Sequence, residues 1–401
     1  MLRAILSQYR AAFRGLSREV WILSAVLLIN RTGTMVVPFL TLYLTKRHGY
    51  GIAEAGGFLA LHGLGGFAGI FLGGKLTDRI GFMPVMQASL VASGLALFAL
   101  GAVEGAWPFG AMLLLFGFFA ESFRPASGAA IAAYSTEEGR PRAYGLQRLA
   151  VNLGWTAGPV IGGLLASVDY SWLFLVDGGT CLLSALPLTL ALRGAPVRAP
   201  SVDKERRAEA DGRAASPWAD RPFVLFLGLL FFQGIVFFQF QSTLPVFLAQ
   251  ERAFSEKMIG IVVASNTIVI VLFEMILIRA VDRISPLRVV AVSSLFIGVG
   301  YGMTSFVHSL PFIILSVVVW TVGEMLTAPM TITWTSRRAE DGNRGRYMGA
   351  YGMCYSACAV VAPLAGTWVY QRAGSTTLWT ACFVVGVLDA AGLWWMARRL
   401  R

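Results

Sequence analysis

Residues 74–81 read Gly-Lys-Leu-Thr-Asp-Arg-Ile-Gly, and the triplet Asp78-Arg79-Ile80 returns as Asp282-Arg283-Ile284, an offset of 204 residues. The same register carries Pro125 onto Pro329, Arg140 and Arg142 onto Arg344 and Arg346, Gly145 onto Gly349, Pro159 onto Pro363, and Gly162 onto Gly366. Apolar letters coincide freely in a chain that is 56% hydrophobic, whereas a shared Asp-Arg pair, two prolines and two arginines in one register do not. The 401-residue chain reads as one unit written twice.

Around these anchors lie apolar stretches such as 20–43, 110–134 and 223–248. Each is long enough, as a helix, to cross a hydrocarbon core of about 30 Å. Only 14% of the residues are charged and the mean hydropathy is +0.66, whereas soluble domains carry about 25% charged residues. In lipid every backbone amide must find its partner within its own segment, which leaves the helix as the available structure. Spans are expected at 20–44, 53–76, 84–104, 109–134, 144–167, 171–192, 222–249, 257–280, 287–307, 310–335, 347–370 and 375–397. The expected fold class is an all-α membrane protein with twelve transmembrane helices in two pseudo-symmetric six-helix bundles. Its parts are an amphipathic interfacial segment (1–19), an N-terminal bundle (20–192), a linker (193–221), a C-terminal bundle (222–397) and a short tail (398–401).

The formal net charge of +11 would suit nucleic acid if the basic residues formed a face, but they follow the loops. Most of the 33 Lys and Arg fall in the N-terminal segment, the even-numbered loops and the tail, while the opposite side holds Lys46, Arg47, Arg252, Lys257 and Arg372. That asymmetry is the positive-inside pattern and predicts two cytoplasmic termini in a bacterial inner membrane. In the first residues Leu2, Ile5, Leu6, Tyr9, Phe13 and Leu16 share a helical face ringed by Arg3, Arg10, Arg14 and Arg18, the signature of a helix lying on an anionic leaflet. The segment 193–221, with Pro196, Pro200, Pro217 and a dense run of charges, reads as a solvated linker. Cys181, Cys354, Cys358 and Cys382 all fall in expected spans, so neither a disulfide framework nor a zinc site is indicated.

The motif at 74–81 resembles the G-x-L-x-D-R-x-G signature of the major facilitator superfamily, in its expected place after the second span. The basic pair that usually follows is Phe82-Met83 here. In the fifth span Gly154, Gly158, Pro159, Gly162 and Gly163 form a pattern similar to the G-x-x-x-G-P-x-x-G-G motif of proton-coupled antiporters. The resemblance covers nearly the whole chain. It implies a secondary transporter working by alternating access, with spans 1, 4, 7 and 10 lining a central cavity. It also gives Gly74, Asp78, Arg79 and Gly81, and their mates Asp282 and Arg283, a gating role in which Asp78 caps the following helix or pairs with arginines of neighbouring spans. The span 5 glycines let helices approach closely.

Ionisable groups deep in a span are costly and mark function by default. Arg31 in span 1, Glu121 and Arg124 in span 4, and Glu324 in span 10 fall near mid-depth. Glu121 and Arg124, three apart, can pair; Arg31 can take Glu121 instead. Glu324 has no basic residue within a helical turn, which makes it the leading proton carrier, with Glu121 second and a structural acid held by Thr327 as the alternative. Glu274 and Asp389 lie in supporting spans, Asp177 reads as a helix-packing acid, and His62 beside three glycines reads as a packing residue. Candidate substrate contacts are Arg31, Arg124, Gln233, Gln239, Gln241 and Trp320, polar groups among aromatics that suit an amphipathic organic molecule.

The function expected is proton-coupled export of amphipathic or drug-like compounds. The alternative is a proton-coupled importer of a peptide, organic anion or siderophore, since Asn30-Arg31 and Leu42-Tyr43-Leu44 resemble the first span of oligopeptide symporters. A non-transporting membrane sensor ranks behind both. The chain holds no nucleotide loop, metal-ligand cluster or nucleophile constellation, so neither an enzyme nor a cofactor is expected. The partners expected are a small-molecule substrate, protons and lipid, with the chain a monomer.

Overall fold

The computed structural model describes residues 15–192, 216–306, 309–339 and 343–400. Most of the interfacial segment expected over 1–19, and the linker through residue 215, lie outside the described residues. The main elements are α1 (Arg18–Gly33), α2 (Val36–Arg47), α3 (Ile52–Ile80), α4 (Phe82–Ala102), α5 (Ala106–Tyr134), α6 (Arg140–Ala166), α7 (Ser171–Ala191), α8 (Arg221–Phe237), α9 (Gln239–Gln250), α10 (Glu256–Val281), α11 (Pro286–Met303), α12 (Leu310–Arg338) and α13 (Arg344–Arg399). Taking α1 with α2 and α8 with α9 as single broken spans, eleven helices among the described residues are long and apolar enough to cross a membrane.

The helices start where local chemistry satisfies their first amides. Ser17 caps α1 by accepting from Val20 N, Asp220 caps α8 by accepting from Phe223 N, and Ser255 caps α10 by accepting from Met258 N. The last helix is interrupted at Gly374, whose φ of 82° and ψ of 168° are non-helical. A positive φ carries no steric cost for glycine, so the chain bends there without a loop.

The chain packs as two compact units: residues 1–36 with 65–200, and residues 37–64 with 201–401. In the first, Val20, Leu23, Val26 and Leu27 of α1 meet Met86 and Leu90 of α4, Phe123 and Ala130 of α5, and Leu188 of α7. In the second, Phe223, Phe226 and Leu230 of α8 meet Val290 of α11, Leu326 of α12, and Tyr347 and Leu393 of α13. Many large side chains point away from both cores, among them Phe71, Leu95, Leu190, Met275, Ile276 and Leu388. In water this would be a liability; in lipid it is the expected exterior.

Residues 37–64 pack with the second half of the chain rather than their own. A Cβ on Gly63 would lie 2.6 Å from Ala359 O, and Gly56 abuts Pro363 and Thr367. Ala53 N donates to Gln371 Oε1 (2.6 Å), and Lys46 pairs with Glu256 (2.7 Å).

The two halves tie their first and fourth spans together at matching places. In the first, Ser17 Oγ donates to Tyr134 O (2.9 Å). In the second, Arg338 Nε donates to Asp220 Oδ2 (2.8 Å), and the Tyr347 hydroxyl donates to the same oxygen (3.0 Å). The Arg338 guanidinium holds the Asp220 carboxyl below its ordinary range, with Tyr347 and the Phe223 amide assisting against partial burial. A lowered folded-state value contributes stability that is present above the unfolded value and lost as pH falls through the folded one. We therefore expect Asp220→Asn to cost about 1 kcal/mol at neutral pH, since the pair is partly solvated. That difference should begin to shrink as pH drops below about 4 and vanish only below the lowered folded value. Melting of the detergent-purified protein against pH checks this; an unchanged gap in strong acid would refute the pairing argument.

Candidate functional site

The first half contributes a broken helix. α1 stops at Gly33, Thr34 takes φ −66° and ψ 82°, and α2 begins at Val36. Pro38 explains the stop in part: it has no N–H to return to Thr34 O, and its ring clashes with a carbonyl four residues back in a continuous helix. The freed amides Met35 N and Val36 N donate to Asp177 Oδ2 of α7 at 3.2 and 3.3 Å. Close packing walls the break on both sides. A Cβ on Gly33 would overlap Thr180 Oγ1 of α7, one on Gly154 of α6 would come within 2.5 Å of Arg31 Cβ, and one on Gly158 within 3.0 Å of Thr34 O. Two glycines of the span 5 motif thus seat α6 against the break; Pro159, Gly162 and Gly163 follow them, buried in α6.

Arg31 sits one turn before the break, half-buried, with its Nε buried and lacking a hydrogen-bond partner. It acts on Asp177 through space and forms no ion pair among the described residues. Neither Glu121 pairing foreseen from the sequence is made. Glu121 is half-buried on α5 and lies near Gly66 of α3, where a built Cβ would be 3.0 Å from its Cγ, while Arg124 is exposed.

The second half contributes Glu324, half-buried on α12. Asn266 of α10 donates from Nδ2 to Glu324 Oε2 (2.6 Å) and to Thr321 Oγ1 (3.0 Å). Thr327, the partner considered from sequence, turns elsewhere: it accepts from Gln233 Nε2 (3.4 Å) and meets Ser293 (3.0 Å). Gln233, 3% exposed, also donates to Ser294 Oγ (2.8 Å), which in turn donates to Asp389 Oδ2 (2.7 Å). Gln239, at the start of α9, is buried and donates to Ile235 O of α8 and to Ala362 O. Trp320 stacks on Tyr301 at 5.5 Å between centroids, and Tyr301 on Trp379 at 6.0 Å. Gln233, Gln239 and Trp320 thus serve internal packing, while Gln241 stays partly open. Asn266, Ser293, Ser294 and Tyr301 were not singled out from sequence. The signal for Asn266 was available: it is the lone amide in the apolar run 258–273 of its span.

Asp78, Arg79 and Gly81 are exposed at the end of α3, with Gly74 two turns earlier. Asp78 does not cap α4, whose N-cap Gly81 (φ 87°) has no side-chain bond, and it pairs with no arginine among the described residues. Asp282 and Arg283 are likewise exposed at the end of α10. His62 is half-buried on α3, and Glu274 is buried on α10.

Membrane-length helices with a duplicated register and polar groups at breaks deep in the helices define a polytopic membrane transport protein. The family profile described as the Major Facilitator Superfamily matches residues 20–255 and 231–401, and the chain belongs to that family. Among its relatives is an uncharacterized MFS-type transporter, YqjV, of Bacillus subtilis (strain 168), 26% identical over 83% of this chain and 82% of the relative. Another is the class C tetracycline resistance protein of Escherichia coli, 26% identical over 80% and 81% of the two chains. A solved POT family transporter in complex with a thioalcohol-conjugated peptide shares the fold, with a TM-score of 0.82 at 14% identity over 96% of this chain and 97% of that one. The chain is a transporter and not an enzyme.

Proposed function

We propose that this chain exports an amphipathic organic solute in exchange for protons, by alternating access of two six-span halves. The observation that carries proton coupling is the half-buried Glu324 carboxyl bonded to Asn266 at 2.6 Å. An acid placed within a span and hydrogen-bonded to a neutral amide can lose and regain a proton while Asn266 keeps hold of it. The span 5 glycine motif and the likeness to a tetracycline resistance protein support the direction and the substrate class. Gln241, Arg31 and Arg124 are the side chains left to meet substrate. Reading α13 as two spans about Gly374 gives twelve, since a helix of 55 residues would be about 80 Å long. The basic loops then face the cytoplasm with both termini.

Proteoliposomes with an imposed pH gradient test this. Uptake of amphipathic dyes into acidic-interior vesicles is expected; uptake driven only by an inward proton gradient would establish import instead. The exposed Asp78 is assigned to gating, so Asp78→Asn should lower the rate of transport about tenfold or more while substrate affinity, measured by fluorescence, stays unchanged. A matched loss of affinity would remove Asp78 from the gate.

A further inference from the structure

The first span breaks at Thr34 and the seventh at Phe238, positions that coincide under the offset of 204 residues. The two breaks are held by different chemistry. At the second, Gln239 Nε2 donates to Ile235 O (2.9 Å) and Ala362 O (3.1 Å), and its Oε1 accepts from Thr243 (2.7 Å). That clasp is neutral at every physiological pH. At the first, the clasp is the Asp177 carboxyl, 4% exposed, receiving both leading amides of α2. The repeat position of Asp177 is Ala381, so this acid has no mate in the second half. The boundary between the two compact units also falls here, between Val36 and Val37.

We propose that Asp177 is a second proton-binding site, separate from Glu324, whose loading unlatches the joint between α1 and α2. A carboxylate suits the positive end of α2 and its two unsatisfied amides. A carboxylic acid keeps a weaker acceptor, loses the attraction to the helix end, and leaves the amides of a broken helix poorly held. Few groups bear on that equilibrium. α1 brings Arg31, and α7 brings Cys181, whose sulfur accepts from Asn30 Nδ2 at 3.5 Å. α4 has no ionisable residue, α6 has none over 149–166, and those of α2 (Tyr43, Lys46 and Arg47) lie at its far end. Arg31 is held off by its own packing against Gly154, so it tunes the site without closing a salt bridge that would fix the charge.

Hydrogen–deuterium exchange on the full-length protein, corrected for intrinsic rates between about pH 8.5 and pH 5.5, tests this without substrate or gradient. Exchange of the 34–47 segment should rise about fivefold or more on acidification, the effect of removing a charge at a helix start. The 238–250 segment should not respond. Asp177→Asn should exchange fast at every pH, and Asp177→Glu should keep the response. Glu324→Gln should keep it too, which separates this site from the transport reading. A flat 34–47 profile in the unaltered protein, or a wild-type response in Asp177→Asn, overturns the proposal; should the Asn variant not fold, the unaltered protein and Asp177→Glu still decide it.

Discussion

Glu324→Gln is expected to abolish accumulation of substrate against its gradient while leaving exchange of substrate across the membrane intact. The glutamine keeps the shape of the protonated acid and its ability to meet Asn266, so the local packing between α10 and α12 survives. What disappears is the group that loads and unloads a proton. Driven transport should fall by about a hundredfold or more, the scale on which loss of a proton-transfer group is felt. Binding should lose most of its pH dependence. Asn266→Ala offers a companion measurement: it removes the donor at 2.6 Å and should shift the pH profile of transport without eliminating it. Near-normal accumulation by Glu324→Gln would make the acid structural and pass the role to Glu121.

Arg31→Gln should have the next largest effect, on the charge preference of binding. The side chain is half-buried beside the span 1 break and forms no ion pair among the described residues, so a ligand carboxylate or phosphate is a natural partner for its charge. A charge-assisted bond contributes about 2 kcal/mol, so anionic ligands should bind roughly thirtyfold more weakly to the variant. Cationic ligands should bind equally or better. Arg124→Gln should show a smaller shift of the same sign, because Arg124 is exposed and its charge is screened. Equal binding of anions and cations to both variants and the parent would end the case for an anion subsite.

Much of the architecture was written in local pattern. Hydropathy marked the spans, and the Asp78 and Asp282 register marked the duplication, because both depend on residues near in sequence or at one constant offset. The site was less legible. The break at Thr34 depends on Asp177, 142 residues from Met35, and nothing at Thr34 itself announces the partner. Gln233 and Gln239 stood out as polar letters among phenylalanines and suggested substrate contacts. Hydropathy cannot say which helix face looks inward, and Ser293, Ser294 and Thr327 arrive from other spans to occupy Gln233. Glu121 and Arg124 had the spacing of a pair, but one lies along Gly66 and the other is exposed. Spacing permits a contact; the neighbours decide it.

The grouping of residues 37–64 with the second half bears on how such a duplicated chain can be made and inherited. A fragment beginning after the linker would lack the stretch that packs closely on Ala359, Pro363 and Thr367 and the amide that donates to Gln371 Oε1. The present halves can be split between two genes or shuffled as cassettes only if this stretch is carried along with residues 201–401. During synthesis residues 37–64 must also wait, incompletely packed, until residues 359–371 emerge from the ribosome.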